Sequence, residues 1–333
     1  MKKIIGLIDG DVVAYRAACI VEKRSVMVTH LPTGESKEFK TRTEFKESQK
    51  EKHGTLDNFN ENDWKYEDIQ TPENPGLAFQ IMDQQIERIK DKLFASRVEI
   101  FISGSNNFRD YLPLPEKYKG NRAEMLRPVH LEICKQHLYK NYNAEISHGF
   151  ESDDYLIIRG NEIIKEGDVP VLITVDKDAN AYSGFCLYDF TQEIPAVVSV
   201  PDGVGTLYDN GKKVTGLGFK FFCHQMLIGD PVDNYKPTKI CAVKFGEKSS
   251  LKALEKAMTE QECLQIVIDH YKKWYPSVVE YTDWEGKLHK TDWKGLIDLY
   301  FKCVRMKSTK EDLLDFKEFA NRYGVNQIGR AHV

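Results

Sequence analysis

Short apolar runs recur along this chain, the first and last of the four followed at once by carboxylates, with helix-like stretches between them. Four runs read as strands: residues 3–8, 98–103, a weaker one at 144–147, and 169–175. They are short and rich in Ile, Val or Phe, as strands covered on both faces should be. Helical patterns occupy 75–94, 128–139 and 152–165. This alternation predicts an α/β fold with a parallel central sheet flanked by helices, and such sheets bind ligands beyond the carboxyl ends of their strands.

Residues 22–74 form a polar insertion with little helical periodicity. Within it, 25–30 and 37–41 flank Leu31-Pro32-Thr33-Gly34-Glu35, which predicts a small hairpin followed by a flexible stretch. Residues 190–215 read as loop, with turn signals at Asp202-Gly203 and Asn210-Gly211. Beyond 230 the pattern becomes helical, at 249–258, 260–274, 293–306 and 311–323. The division expected is an α/β catalytic domain over 1–220 and a helical module over 221–327. Residues 328–333, Ile-Gly-Arg-Ala-His-Val, read as translated sequencing adapter and fall outside the fold argument. No internal repeat is present.

No apolar run approaches the roughly 20 residues of a membrane span. The first nine residues meet Asp9 too soon for a secretory signal. Seven scattered cysteines without a CxxC pair point to reduced thiols in a cytoplasmic protein. The net charge of −4, from 47 basic and 51 acidic residues, argues weakly against nucleic acid. A carboxylate-rich metal site offset by bound cations would hide a local basic surface from that sum.

The carboxylates carry the chemistry. Asp9 and Asp11 follow the first strand, and Glu151, Asp153 and Asp154 open a helix. Asp176 and Asp178 follow the fourth strand, and Asp230 and Asp233 lie in Gly229-Asp230-Pro231-Val232-Asp233-Asn234. Each group has an ordinary explanation as a turn, a helix cap or a solvated loop. In a parallel sheet the first three groups converge on one edge. So many carboxylates repel one another unless cations intervene, and all-oxygen sites suit Mg²⁺ or Mn²⁺. Two such ions about 4 Å apart fit phosphodiester hydrolysis.

At these residues the chain resembles the structure-specific 5′-nuclease superfamily, and most of all the bacteriophage-type 5′→3′ exonucleases and flap endonucleases. The matching blocks are Ile8-Asp9-Gly10-Asp11, Tyr118-Lys119-Gly120-Asn121-Arg122, Glu151-Ser152-Asp153-Asp154, Val175-Asp176-Lys177-Asp178 and the segment from Gly229 to Asn234. They stand in the family's order over roughly residues 1–250. The resemblance implies a PIN-like fold with a helical arch at 105–130 and hydrolysis of DNA carrying a free 5′ end, flap or nick. It implies a first metal at Glu151, Asp153 and Asp154, a second at Asp176, Asp178, Asp230 and Asp233, and Asp9 between them. Lys119 and Arg122 would stand in the arch and act on the scissile phosphate. The protein would work as a monomer, in the host cytoplasm if phage-encoded.

Basic residues Arg109, Lys117 and Arg127, among Phe108, Tyr111 and Tyr118, suggest a path for a nucleic-acid strand. The chain departs from the family twice. Gly104 or Ser105 stands where another metal-associated aspartate is usual. Residues 234–239 replace the first glycines of a duplex-gripping helix-hairpin motif and weaken the case for its K⁺ site. Gly246, Lys248 and Ser249 keep the later turn and suit a phosphate at a helix N-terminus. Two other readings remain: a PIN-like ribonuclease, including one acting on RNA–DNA hybrids, and a DNA-binding protein with a decayed metal site.

Overall fold

The computed structural model describes residues 2–55, 59–123 and 125–325; the adapter-like tail lies outside them. Contacts divide the chain into two compact units. The first is built from Met1–Val12, Arg88–Met125 and Tyr142–Val333, the second from Val13–Glu87 and Leu126–Asn141.

In chain order the elements begin with β1 (Ile4–Asp9) and α1 (Gly10–Ile20), followed by β2 (Glu22–His30), β3 (Ser36–Phe39) and α2 (Arg42–His53). β4 (Trp64–Pro72), α3 (Pro75–Leu93), β5 (Arg97–Ser103), α4 (Leu131–Tyr142), β6 (Glu145–Ser147), α5 (Ser152–Glu166) and β7 (Val169–Ile173) come next. Then come three short strands, β8 (Cys186–Tyr188), β9 (Val197–Ser199) and β10 (Thr206–Asp209), with β11 (Val214–Leu217) pairing back on β10. The remainder is α6 (Phe219–Ile228), α7 (Glu247–Leu254), α8 (Glu260–Trp274), the hairpin β12 (Val279–Thr282) and β13 (Leu288–Thr291), α9 (Trp293–Val304) and α10 (Phe316–Arg322). No helix is long and apolar enough to cross a membrane among the described residues.

The first unit holds a six-stranded sheet in the order β6-β5-β1-β7-β8-β9. All pairings are parallel except β8 with β9. This is the α/β class read from the apolar runs, and all four predicted strands lie in this sheet. β1 stands at its centre with Ile5, Leu7 and Ile8 fully buried, and its carboxyl end puts Asp9 level with Phe101 and next to Thr174. One apolar cluster runs from Ile5 and Phe101 through Phe222 and Tyr271 to Phe301 and Phe319. The division expected at residue 220 is therefore not a border of either unit, because this cluster draws side chains from both sides of it.

The second unit contains a three-stranded antiparallel sheet in the order β3-β2-β4. The hairpin predicted in the insertion is present as β2 and β3, with Val26 opposite Phe39. The stretch expected to be flexible instead carries α2 and β4. Thr41 caps α2 by accepting from the Glu44 amide at 3.0 Å, and Phe45 packs under Val26, Val28 and Trp64. One buried aromatic was enough to anchor a helix that shows little apolar periodicity.

The predicted arch differs more. Among the described residues, 105–123 contain two short 3-10 turns, Phe108–Tyr111 and Gly120–Arg122, and no α-helix. Pro113 and Pro115 remove amide donors, and Lys119 adopts a left-handed φ of 52°. The hairpin β12–β13 fastens this stretch: Trp284 donates from Nε1 to the Leu112 carbonyl and from its amide to the Leu114 carbonyl, and the Tyr281 hydroxyl donates to the Pro113 carbonyl.

Candidate metal centre

Three peptide segments beyond the carboxyl ends of β1, β5 and β7 are joined by side-chain hydrogen bonds. The Asp9 carboxylate accepts from the amides of Asp11 and Val12 and from the Thr174 hydroxyl. Asp11 reaches across to accept from the Ser103 amide at 2.9 Å and the Ser152 hydroxyl at 3.2 Å. Asp176 caps the turn at Lys177–Ala181 by accepting from the Asp178 amide. Backbone amides thus aim each carboxylate, as a preformed ligand set requires.

A fourth segment closes the site. Gly229 has φ of 74°, and a Cβ there would sit 2.4 Å from the Tyr235 carbonyl, so only glycine allows the turn bridged by Asp230 and Tyr235. This turn is stitched to the segment expected to form the arch. The Lys119 amide donates to the Asp233 carbonyl, Asn121 to the Pro231 carbonyl, and Asn234 to the Lys117 carbonyl. Two sequence blocks about 110 residues apart, each ambiguous alone, meet here.

The result is a cleft of ≈ 460 Å³ lined by Asp9, Asp11, Glu151, Asp153, Asp176, Asp178, Asp230 and Asp233, with Lys119, Arg122, Lys177 and Lys213 among them. Oxygens of Asp178, Asp230 and Asp233 lie within 4.8 Å of one another. Burial, with Asp11 and Asp176 nearby, pushes the Asp9 carboxyl up to about 7. Burial and the charges of Asp9, Asp176 and Glu151 hold Asp153 well above the carboxylate range. Burial raises Asp176, Asp178 and Asp233 as well, and beside Asp178 the Asp176 charge adds to it.

The residues present suit a hard divalent cation. The donors are all oxygens, and Asp153 Oδ1 is buried without a hydrogen-bond partner. A cation there would supply the missing partner and allow neighbouring carboxylates to ionise together.

Basic groups stand among the carboxylates. Lys119 donates to Glu151 and stands 3.9 Å from Asp233, while Arg122 donates to Asp233 at 2.7 Å. Burial opposes the Lys119 charge, but Glu151 and Asp233 hold its ammonium above the ordinary lysine range. The Tyr118 hydroxyl donates to Asp233 at 2.8 Å, with Glu151 at 3.2 Å.

Two expectations need correction. Arg109 is no strand-binding residue: it is 2% exposed and gives two hydrogen bonds to Asp154 and two more to the carbonyls of Lys302 and Arg305. Asp154 is taken up by the same pair, although it still lines a smaller recess together with Glu151, Asp153, Asp176 and Asp178. Its oxygens also accept from the amides of Glu151 and Lys307, and it does not line the main cleft.

The other predicted residues separate. Lys117 lies 4.6 Å over the Trp284 ring, and Arg127 is exposed in the second unit. Gly246 stands at the N-cap of α7, followed by exposed Lys248 and Ser249. The missing aspartate also has a physical account. A Cβ on Gly104 would lie 2.2 Å from the Ser147 carbonyl, so no side chain fits, and Asp11 brings its carboxylate to the adjacent Ser103 amide. Sequence reasoning named Asp11 but gave it no ligand role. It did not assign Lys177, whose only signal is its place between two aspartates, or Gln225, a donor to Asp178 that has no signal at all.

No protein-family model and no curated protein matches the chain. Three solved structures from bacteriophage T5 are similar to it. One is a protein co-crystallised with metal ions, at 13% identity over 80% of this chain and 79% of that one, TM-score 0.44. Another is a mutant 5′-exonuclease, at 12% identity over 92% and 88%, TM-score 0.49. The third is a flap endonuclease in a pseudo-enzyme–product complex with DNA and metal ions, at 14% identity over 98% and 100%, TM-score 0.49. The chain's structural neighbours include 5′-nucleases. These likenesses are remote, and the chemistry of the cleft stands apart from them.

Proposed function

We propose that the protein is a metal-dependent 5′→3′ exonuclease with flap endonuclease activity, cutting DNA phosphodiesters with two Mg²⁺ or Mn²⁺ ions. The observation that carries this reading is the cleft of eight carboxylates with cationic side chains among them. Bound there, the ions would activate water and offset charge on the scissile phosphate.

Asp9, Asp153 and Asp176, with Glu151 and Asp11 beside them, would hold one ion. Asp178, Asp230 and Asp233 would hold the other. The chain's own groups do the rest. Lys119 and Arg122, now paired with Glu151 and Asp233, exchange those partners for phosphate oxygens and stabilise charge that grows as the bond to the leaving oxygen breaks. Tyr118 keeps Asp233 oriented through its hydroxyl. Residues 221–327 serve as the duplex-binding module, with the N-terminus of α7 and Lys248 contacting phosphate away from the cut.

The test is incubation with 5′-flap DNA, nicked duplex and RNA–DNA hybrid, each labelled at either end, with and without Mg²⁺. Metal-dependent release from the 5′ end of DNA supports the reading. Cleavage confined to the RNA strand, or none at all with bound DNA, overturns it in favour of a ribonuclease or a binding protein.

A further inference from the structure

The two carboxylate groups are not equally supplied with cations. Lys177 points its Nζ at Asp230 Oδ2, 2.9 Å away, and Asp230 is 3% exposed. Arg122 pairs with Asp233 in the same group. The third member, Asp178, accepts from Gln225. Among the described residues, Asp9, Asp153 and Asp176 themselves make no ion pair within 4 Å, and the ammonium on their side, Lys119, is held by the neighbouring Glu151. The partnerless oxygen of Asp153 belongs to that second trio.

Building on the metal-dependent reading, we infer that Lys177 is a built-in cation of the Asp178–Asp230–Asp233 group that makes divalent-ion binding there weak and exchangeable. The ion at Asp9, Asp153 and Asp176 then binds first and tightly. An ion entering the other group competes with an ammonium already in contact with one of its three ligands, and at short range one such charge changes affinity substantially. Lys177 also holds Asp230 where the turn at Gly229 delivers it, so the ligand stays placed while the ion exchanges. Lys177 is thus a positioning residue that sets the metal affinity of its group.

Calorimetric titration of metal-free protein with MnCl₂, checked by Mn²⁺ EPR and without nucleic acid, tests this. The natural protein should bind one Mn²⁺ tightly and a second weakly. Lys177→Met, which keeps the stem and removes the charge, should tighten the second ion by about tenfold or more, the equivalent of about 1.4 kcal/mol. Lys177→Arg should keep it weak. Metal-free Lys177→Met should also melt lower, with a larger rise on adding Mn²⁺. Lys177→Gln serves for the same comparison if the Met variant fails to fold. A second-ion affinity that is unchanged or weaker without the lysine charge overturns the inference and leaves the nuclease reading standing. If the natural protein binds no Mn²⁺, both fall.

Discussion

Arg109 and Asp154 face each other in a two-pronged ion pair, at 2.7 and 3.1 Å, with neither side chain more than 3% exposed. Asp154 opens α5 directly beside the metal-facing Asp153, so the pair fixes the helix end that delivers a ligand. Losing one partner strands the other charge in the interior. Arg109→Ala or Asp154→Asn should cost about 3–5 kcal/mol in urea unfolding. The apolar pair Arg109→Met with Asp154→Leu should recover part of that loss. A change below about 1 kcal/mol in both single variants would show that the pair does not hold the helix end.

Burial of Asp9, with repulsion from Asp11 and Asp176, should appear in the metal-free protein as a pH effect. The Asp9 carboxyl moves from 3.8 to about 7 on folding. The folded state therefore keeps a proton that the unfolded chain releases. Its contribution to stability is fully present below 3.8 and is lost as pH rises through about 7. Thermal melting at about pH 5 and about pH 8 should show a decline that Asp9→Asn reduces and that Mg²⁺ offsets. Equal pH dependence in the natural protein and the variant would remove Asp9 as its source.

Lys119→Ala should lower single-turnover cleavage by on the order of 10²–10³ while duplex affinity in Ca²⁺ stays nearly constant, because its charge acts on the reacting phosphate. Unchanged cleavage would return Lys119 to a purely structural role beside Glu151.

Gly104→Asp, which restores the carboxylate usual in the resembled family, should fail as a repair. The new Cβ meets the Ser147 carbonyl at 2.2 Å, and relieving that clash should cost about 1–3 kcal/mol or more. Wild-type unfolding behaviour with tighter metal binding would contradict this.

Lys248→Ala should reduce the magnitude of the log–log salt slope for duplex binding by about 0.9, one phosphate contact. A short single strand should bind as before. Equal loss on both substrates, read by fluorescence anisotropy in Ca²⁺, would take Lys248 out of duplex binding.

The parallel core of the sheet was legible because its strands are short, mainly apolar runs, and several helices are periodic; α8, Glu260–Trp274, coincides with its predicted span. The carboxylates were legible because acidic residues at strand ends carry a chemical cost that a fold rarely leaves uncompensated. Contact geometry was not. Asp153 and Asp154 are neighbours of one type, and only packing shows that one faces the cleft and the other faces Arg109. α6 passed unnoticed because Phe219–Ile228 is apolar almost throughout, with no polar face to set a period. The β10–β11 and β12–β13 hairpins are too short and too polar to stand out from loop.

The buried rings that join Phe101 to Phe222, Phe301 and Phe319 restrict how such a chain can be altered over time. Recombination that exchanged everything after residue 220 for another module would tear open this interior, so the two stretches must be inherited together. Tolerated change should collect in the second unit's β2–β4 sheet, whose small aromatic centre around Phe45 is built from that unit's own side chains.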